Sequence, residues 1–261
     1  MSMATQEANI RAWRRPLTAF AYRNAVDLLP PETAMLAQLG GEVARGRVLD
    51  IGVGTGRTTG HLANRCAGYT GLDYSPEMIR RAKDRFPGLD LRVMDARDMS
   101  AFGRAAFDIV FFSFNGIDYV GHEDRLRILA QVHGVLKPGG AFLFSAHRLG
   151  AVIPPARALS NLALSVNPVR AANGLLKYAQ GMRNARRLKP LERRGDHYAL
   201  LNDSAQQYQL LTYYISPEAQ QQQLVRAGFG HIRAYSQSGT ALSFETPDRD
   251  DYMVHYLARG I

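Results

Sequence analysis

Residues 50–56 read Asp-Ile-Gly-Val-Gly-Thr-Gly and stand at the end of a short apolar run, 47–51. Gly52, Gly54 and Gly56 let the backbone turn tightly and approach a ligand closely. A helix opening behind such a loop presents free N–H groups to polar or anionic ligand groups. The dinucleotide fingerprint G-x-G-x-x-G does not fit in either register, because its sixth position falls on Arg57 or Thr59. A second acid, Asp73, lies 23 residues after Asp50, at the end of the next apolar run. A carboxylate there can accept both hydroxyls of a ribose. A third acid stands in Asp95-Ala96-Arg97, after a further run.

These residues must be held by strands. Residues 47–51, 69–73, 90–94, 107–114 and 141–146 read as strands, the fourth apolar enough to be covered on both faces. Between them 58–66, 75–85 and 123–135 read as helices. Ser75-Pro76-Glu77 is a capped helix start, and Lys137-Pro-Gly-Gly140 is a stop. This alternation implies an α/β fold with a doubly wound, mostly parallel sheet. Residues 11–44 read as helical, broken at Pro30-Pro31, and 148–207 as two helical pieces joined at Pro168. In the second piece Val169, Ala172, Leu175, Leu176, Ala179 and Met182 mark an apolar face. The strand pattern resumes at 209–215. A helix starts at Ser216-Pro217-Glu218, and 232–236 and 252–258 close the sheet as an antiparallel pair.

The run D-x-G-x-G-x-G at 50–56 resembles motif I of the class I S-adenosylmethionine-dependent methyltransferases. Asp73, Asp95-Ala96, the apolar strand 108–115 and the turn Leu136–Gly140 follow in that family's order. The resemblance covers 45–147 well and 209–258 in order of elements. It implies a seven-stranded Rossmann-like sheet with a helical lid inserted after strand five. The implied parts are an N-terminal helical cover (1–44), a donor-binding core (45–147 and 208–261) and a basic lid (148–207). It implies a donor site at Asp50, Gly52, Gly54, Gly56, Asp73, Tyr74, Asp95, Ala96 and Asn115. Tyr22 would cover this site, as an N-terminal tyrosine does in small-molecule members. S-adenosylmethionine would be the cofactor and S-adenosylhomocysteine the product.

The acceptor belongs above the carboxyl ends of strands four to six. The polar residues there are Asn115, Asp118, Tyr119, His122, His147, Tyr213 and Tyr214. A hydroxyl acceptor benefits from a general base, and histidine titrates near neutrality. His147, closing strand five, is the first candidate base. Asp118 and His122, following strand four, are the others. No carboxylate–histidine spacing suggests a metal site.

The chain has 261 residues, 46% of them hydrophobic, which suffices for one cored domain with an added part. One cysteine, Cys66, excludes a disulfide framework and a Cys-rich zinc site. No secretory pattern opens the sequence and no window is apolar enough to span a bilayer, so a cytoplasmic location is expected. The net charge is +9, and residues 148–195 carry all of the excess, with ten basic residues against Glu192 alone. This favours a small anionic acceptor such as a sugar, a glycan precursor or another metabolite. The basic segment also suits a membrane surface or RNA phosphates. DNA is not expected. RNA is less favoured, since Tyr178 is the only aromatic residue in 148–195 and the stretch 113–118 lacks an N-P-P-Y motif. An RNA methyltransferase and a non-catalytic donor-binding protein are the competing functions.

Overall fold

Val48, Leu49, Val110 and Phe111 come from runs without polar alternation, and such strands need cover on both faces. In the computed structural model they lie side by side. The structure describes residues 9, 10, 12, 13, 27–150, 167–204, 207–244 and 251–261. Strands β1 (Arg47–Ile51), β2 (Gly68–Asp73), β3 (Asp90–Val93), β4 (Phe107–Phe112) and β5 (Leu136–Arg148) are parallel, in the order β3-β2-β1-β4-β5. Beyond β5 the order continues with β11 (Met253–Gly260), β9 (Phe229–Tyr235) and the short β10 (Ala241–Leu242), each antiparallel to its neighbour.

Helices α1 (Pro30–Leu39), α2 (Gly41–Arg45) and α3 (Thr59–Ala63) bury Met35, Leu36, Val43 and Leu62 with Ile109, Phe111 and Leu143 from the sheet. On the other face α5 (His122–Val135) and α7 (Pro217–Arg226) bury Ile128, Leu129, Val132 and Leu224 with Phe142, Phe144 and Tyr256. Each fully buried large side chain contributes about 1.5–3 kcal/mol. Helix α4 (Pro76–Arg85) starts as its sequence suggests, with the Ser75 hydroxyl accepting from the Met78 N–H. Ser216 caps α7 in the same way.

Three expectations are corrected. First, Lys137–Gly140 does not end at a turn before the strand but lies inside β5. Leu136 pairs with Phe107 and Ala141 with Ile109, so the extra residues bulge out of the ladder. Gly139 takes φ +75°, and a Cβ on Gly140 would sit 2.8 Å from the Lys137 carbonyl.

Second, the strand read at 209–215 is not the sixth strand of the main order. It forms β8 (Leu211–Ile215), which runs antiparallel to β7 (Tyr198–Asn202) and touches β5 only at His147 and Arg148. Strand β4 stops at Phe112, and β8 takes its place beside the last residues of β5. The sixth and seventh core strands are therefore β9 and β11.

Third, 148–207 is not helical throughout. Asn167 caps α6 (Pro168–Leu188) by accepting from Val169 and Arg170 N–H groups, so Pro168 opens a helix. Then β6 (Arg193–Arg194) and β7 pair in a hairpin. The earlier piece, 151–166, lies outside the described residues. The apolar face read for α6 points outward: Gly174, Gly181 and Leu188 are buried, while Val169, Leu175 and Leu176 are exposed.

Candidate functional site

The glycine loop joins β1 to α3 at the carboxyl end of the sheet. Gly52, Gly54 and Gly56 all take positive φ, at +68°, +56° and +90°. The loop is tied to the neighbouring strand, since the Gly52 and Val53 N–H groups both donate to the Leu72 carbonyl, at 2.7 and 3.1 Å. Gly54 N–H donates to Asp73 at 3.0 Å. Nothing lies within 4 Å of a Cβ built on Gly54, so any side chain there would fill the hollow in front of the loop. Gly56 serves packing instead, because its Cβ would lie 2.6 Å from the Phe86 ring. It does not line the cavity.

The cavity opens in front of this loop. Gly52, Gly54, Asp73, Tyr74, Asp95 and Ala96 line it. Asp73 accepts one backbone N–H at each oxygen, from Ser75 and Gly54, and keeps lone pairs for two further hydroxyls. Burial raises its carboxyl to about 6, against the pull of those two N–H groups. Met78, Met94 and Leu72 add an apolar wall. Asp95 is held by Arg97. Partial burial raises the Asp95 carboxyl, but the guanidinium and N–H of Arg97 outweigh it and leave Asp95 below the usual carboxylate range.

Asp50 does not line the cavity. It is fully buried beneath the loop, with Oδ2 accepting from Thr58 and Tyr69 at 2.6 and 2.8 Å. Its Oδ1 has no partner, and burial pushes the carboxyl up to about 7. A cradle open at Gly54, a carboxylate pair of acceptors at Asp73 and an apolar wall fit a nucleoside with a polar tail. S-adenosylmethionine has those features.

Several lining residues escape the sequence reading. Trp13 stands edge-on to Tyr119, with ring centroids 5.0 Å apart, and both line the cavity. Asn9 pins this segment, donating to the Tyr119 and Leu211 carbonyls and accepting from the Leu211 N–H. Tyr22, expected as the cover, lies outside the described residues. Arg57 lines the cavity, forms a two-point ion pair with buried Glu32 and donates to Ser113 Oγ. The position that breaks the dinucleotide fingerprint thus has a structural use. Phe114 and Asn115 both take left-handed backbone, φ +53° and +57°, an uncommon state for non-glycine residues. It is held by Ser145 Oγ, which accepts the Asn115 N–H at 2.8 Å.

Asn115, Asp118, His122 and His147 lie beside the cavity rather than in its wall. Asp118 and His147 come together. Asp118 Oδ2 accepts from the His147 backbone N–H at 2.6 Å and from its Nδ1 at 2.8 Å. A carboxylate only accepts, so Nδ1 carries a proton towards Asp118, and the tautomer this selects has its lone pair on Nε2. The Asn115 amide nitrogen lies 3.2 Å from that Nε2. The Tyr119 ring, which does line the cavity, lies 6.3 Å from the imidazole.

Asp118 Oδ1 is bound by Arg125, a guanidinium with no exposed surface. Arg125 also donates to Gln220 and to the Ile117 carbonyl, and lies over the Tyr213 ring. The sequence carries a sign of it, since Arg125 heads the stripe Ile128, Leu129, Val132. His122 stands apart from the Asp118–His147 pair. It stacks on Tyr198 at 4.3 Å and contacts the Tyr213 hydroxyl at 2.8 Å. Burial lowers its imidazole, and nearby Arg125 does so further. None of the described basic residues in 148–195 lines the cavity; Arg57 does.

A methyltransferase domain family matches residues 48–140. The chain is 32% identical to the magnesium-protoporphyrin O-methyltransferase of Rhodobacter capsulatus over 161 residues, covering 55% of this chain and 71% of that one. It is 37% identical to the ubiquinone/menaquinone biosynthesis C-methyltransferase of Desulfotalea psychrophila over 106 residues, which is 38% of this chain. The match spans 41% of that relative, less than half its length. Among solved structures, the S-adenosylmethionine-dependent methyltransferase from Mesorhizobium loti superposes with a TM-score of 0.59 at 20% identity, covering 88% of this chain and 97% of that one. By its relationship to the Rhodobacter capsulatus enzyme and the matched domain, the chain belongs to the class I S-adenosylmethionine-dependent methyltransferases.

Proposed function

We propose that this chain transfers a methyl group to a hydroxyl of a small anionic acceptor by in-line displacement, with His147 as general base. The observation that carries the choice of oxygen is the His147–Asp118 pair. When bound, S-adenosylmethionine supplies an electrophilic methyl on a sulfonium sulfur. Asp73 would hold its ribose, Asp95 and Ala96 would face its adenine, and the Gly52–Gly54 loop would cradle its amino-acid tail.

Trp13 and Tyr119 would keep water from the transfer path, and most of the rate gain would come from alignment. His147 Nε2 would take the acceptor's proton while Asp118 fixes the ring and stabilises the imidazolium. Arg125 holds the other oxygen of Asp118 and so fixes the carboxylate's orientation for that task. The Asn115 amide now facing Nε2 must yield to the acceptor hydroxyl. The anionic character of the acceptor is supported by the field of the 148–195 segment, which would raise its local concentration.

The relatives' names cover carbon, oxygen and nitrogen acceptors, so oxygen rests on the base geometry. The test is methyl transfer from labelled S-adenosylmethionine to a panel of hydroxylated and aminated small anions. A hydroxyl acceptor should be used, and His147→Ala should lower kcat by roughly 10²- to 10⁴-fold while S-adenosylhomocysteine still binds. Turnover confined to amines, undiminished in His147→Ala, would reject the base.

A further inference from the structure

Helix α6 rests on the protein by a narrow line. Its buried residues Gly174, Gly181 and Leu188 recur every seven positions, with Ala171, Tyr178 and Ala185 half-buried beside them. Gly181 permits close contact, since a Cβ there would lie 3.3 Å from the Tyr208 ring. Asn184 donates to the Gln207 carbonyl, and Leu188 joins the core near Leu200 and Leu211. The rest of the circumference faces outward.

That outer face divides along its length. In the first half it is apolar: Val169 is 68% exposed, Leu175 57% and Leu176 61%, with exposed Ala172 and Ala179 between them. At 100° per residue Val169, Ala172, Leu176 and Ala179 fall on one arc, with Leu175 at its edge. In the second half the same arc carries exposed Arg183, Arg186 and Arg187, while exposed Arg170 and Lys177 lie beside the contact line. The helix contains no Asp or Glu. Exposed leucines side by side are costly in water, and five cations without an acid repel one another. An anionic lipid surface relieves both, because it takes the apolar arc into its interfacial zone and neutralises the arginines. No described helix is long and apolar enough to cross a membrane, so α6 would lie in the interface plane.

We propose that the outer face of α6 docks this protein on anionic lipid bilayers. This goes beyond the methyl-transfer reading and does not depend on it. A nucleic acid would use the cations but leaves Val169, Leu175 and Leu176 without a partner, which is why lipid is favoured.

The test is co-flotation of the full chain with vesicles of phosphatidylcholine alone or mixed with phosphatidylglycerol. Comparison proteins are L175Q/L176Q and R183E/R186E/R187E, each checked for folding by S-adenosylhomocysteine binding. Wild type should float with the mixed vesicles and not with phosphatidylcholine, and salt should release it. The arginine reversal should weaken binding by roughly a hundredfold or more, since each basic residue near such a surface is worth about 1 kcal/mol. The L175Q/L176Q change should weaken it by roughly tenfold. Failure of wild type to bind the mixed vesicles would overturn the proposal. So would vesicle binding indifferent to both sets of changes. Binding to a short RNA that survives L175Q/L176Q, with no vesicle binding, would assign the face to nucleic acid and also overturn it.

Discussion

Asp73 links the loop to its ligand. Two backbone N–H groups orient its carboxylate, and burial holds the carboxyl at about 6. Ribose hydroxyls donate to the ionised form, so binding competes with protonation. The sign follows: affinity for S-adenosylhomocysteine should be level above that pH and fall below it, approaching about tenfold per pH unit. Titration calorimetry across pH 5–8 reads this directly, and a flat profile would mean that the carboxylate does not contact the ligand. The acids and glycines of this site were legible because only a few residue types serve a tight turn or a diol. Asp50 was legible as a member of the pattern but not in its place, since its burial under the loop depends on Thr58 and Tyr69. Trp13 and Arg57 were missed because their partners, Tyr119 and Glu32, are far away in sequence.

Among the elements, the runs that are apolar throughout could be placed from sequence, and β1, β2, β3 and β4 stand within a residue or two of their expected positions. Elements whose apolar residues answer to a local partner were misread. Strand β8 looks like a core strand but follows the end of β4 to build a side branch with β7. Helix α6 hides its glycines and shows its leucines, the reverse of an ordinary amphipathic reading. Helix α5 carries the strongest energetic prediction at this scale. Arg125 and Asp118 are both fully buried, and removing the cation leaves a buried charge without its partner. Arg125→Leu should lower stability by about 3–5 kcal/mol in denaturant unfolding. A loss under about 1 kcal/mol would show that water or Gln220 replaces the guanidinium.

Over the whole molecule, buried groups oppose each other in the acid range, His255 on one side and Asp50 with Asp73 on the other. Burial, with a smaller push from Arg57, lowers the His255 imidazole to about 3, well below its ordinary value. The unfolded chain therefore binds a proton that the fold refuses, and stability falls as pH drops from the unfolded value toward 3. Asp50 acts in the other direction. Its folded value of about 7 exceeds the unfolded one, so its contribution falls as pH rises from about 4 to 7. The two sides partly cancel. His255→Phe should leave the slope from Asp50 and Asp73 alone, so that the variant's Tm declines from pH 4 to 7 while the parent's is flatter. A parallel shift of both curves would mean that His255 is not neutral in the fold.

The central claim is that the hollow before the glycine loop, with Asp73 at its rim, is the methyl-donor site. Isothermal titration of the purified chain with S-adenosylhomocysteine, with NAD as control and Asp73→Ala as variant, tests it most directly. Saturable binding of S-adenosylhomocysteine alone is expected. A loss of about a hundredfold in the variant is expected too, from two charge-assisted hydrogen bonds of about 1.5 kcal/mol or more each. Equal affinity in parent and variant, or binding of NAD in preference, would contradict the assignment.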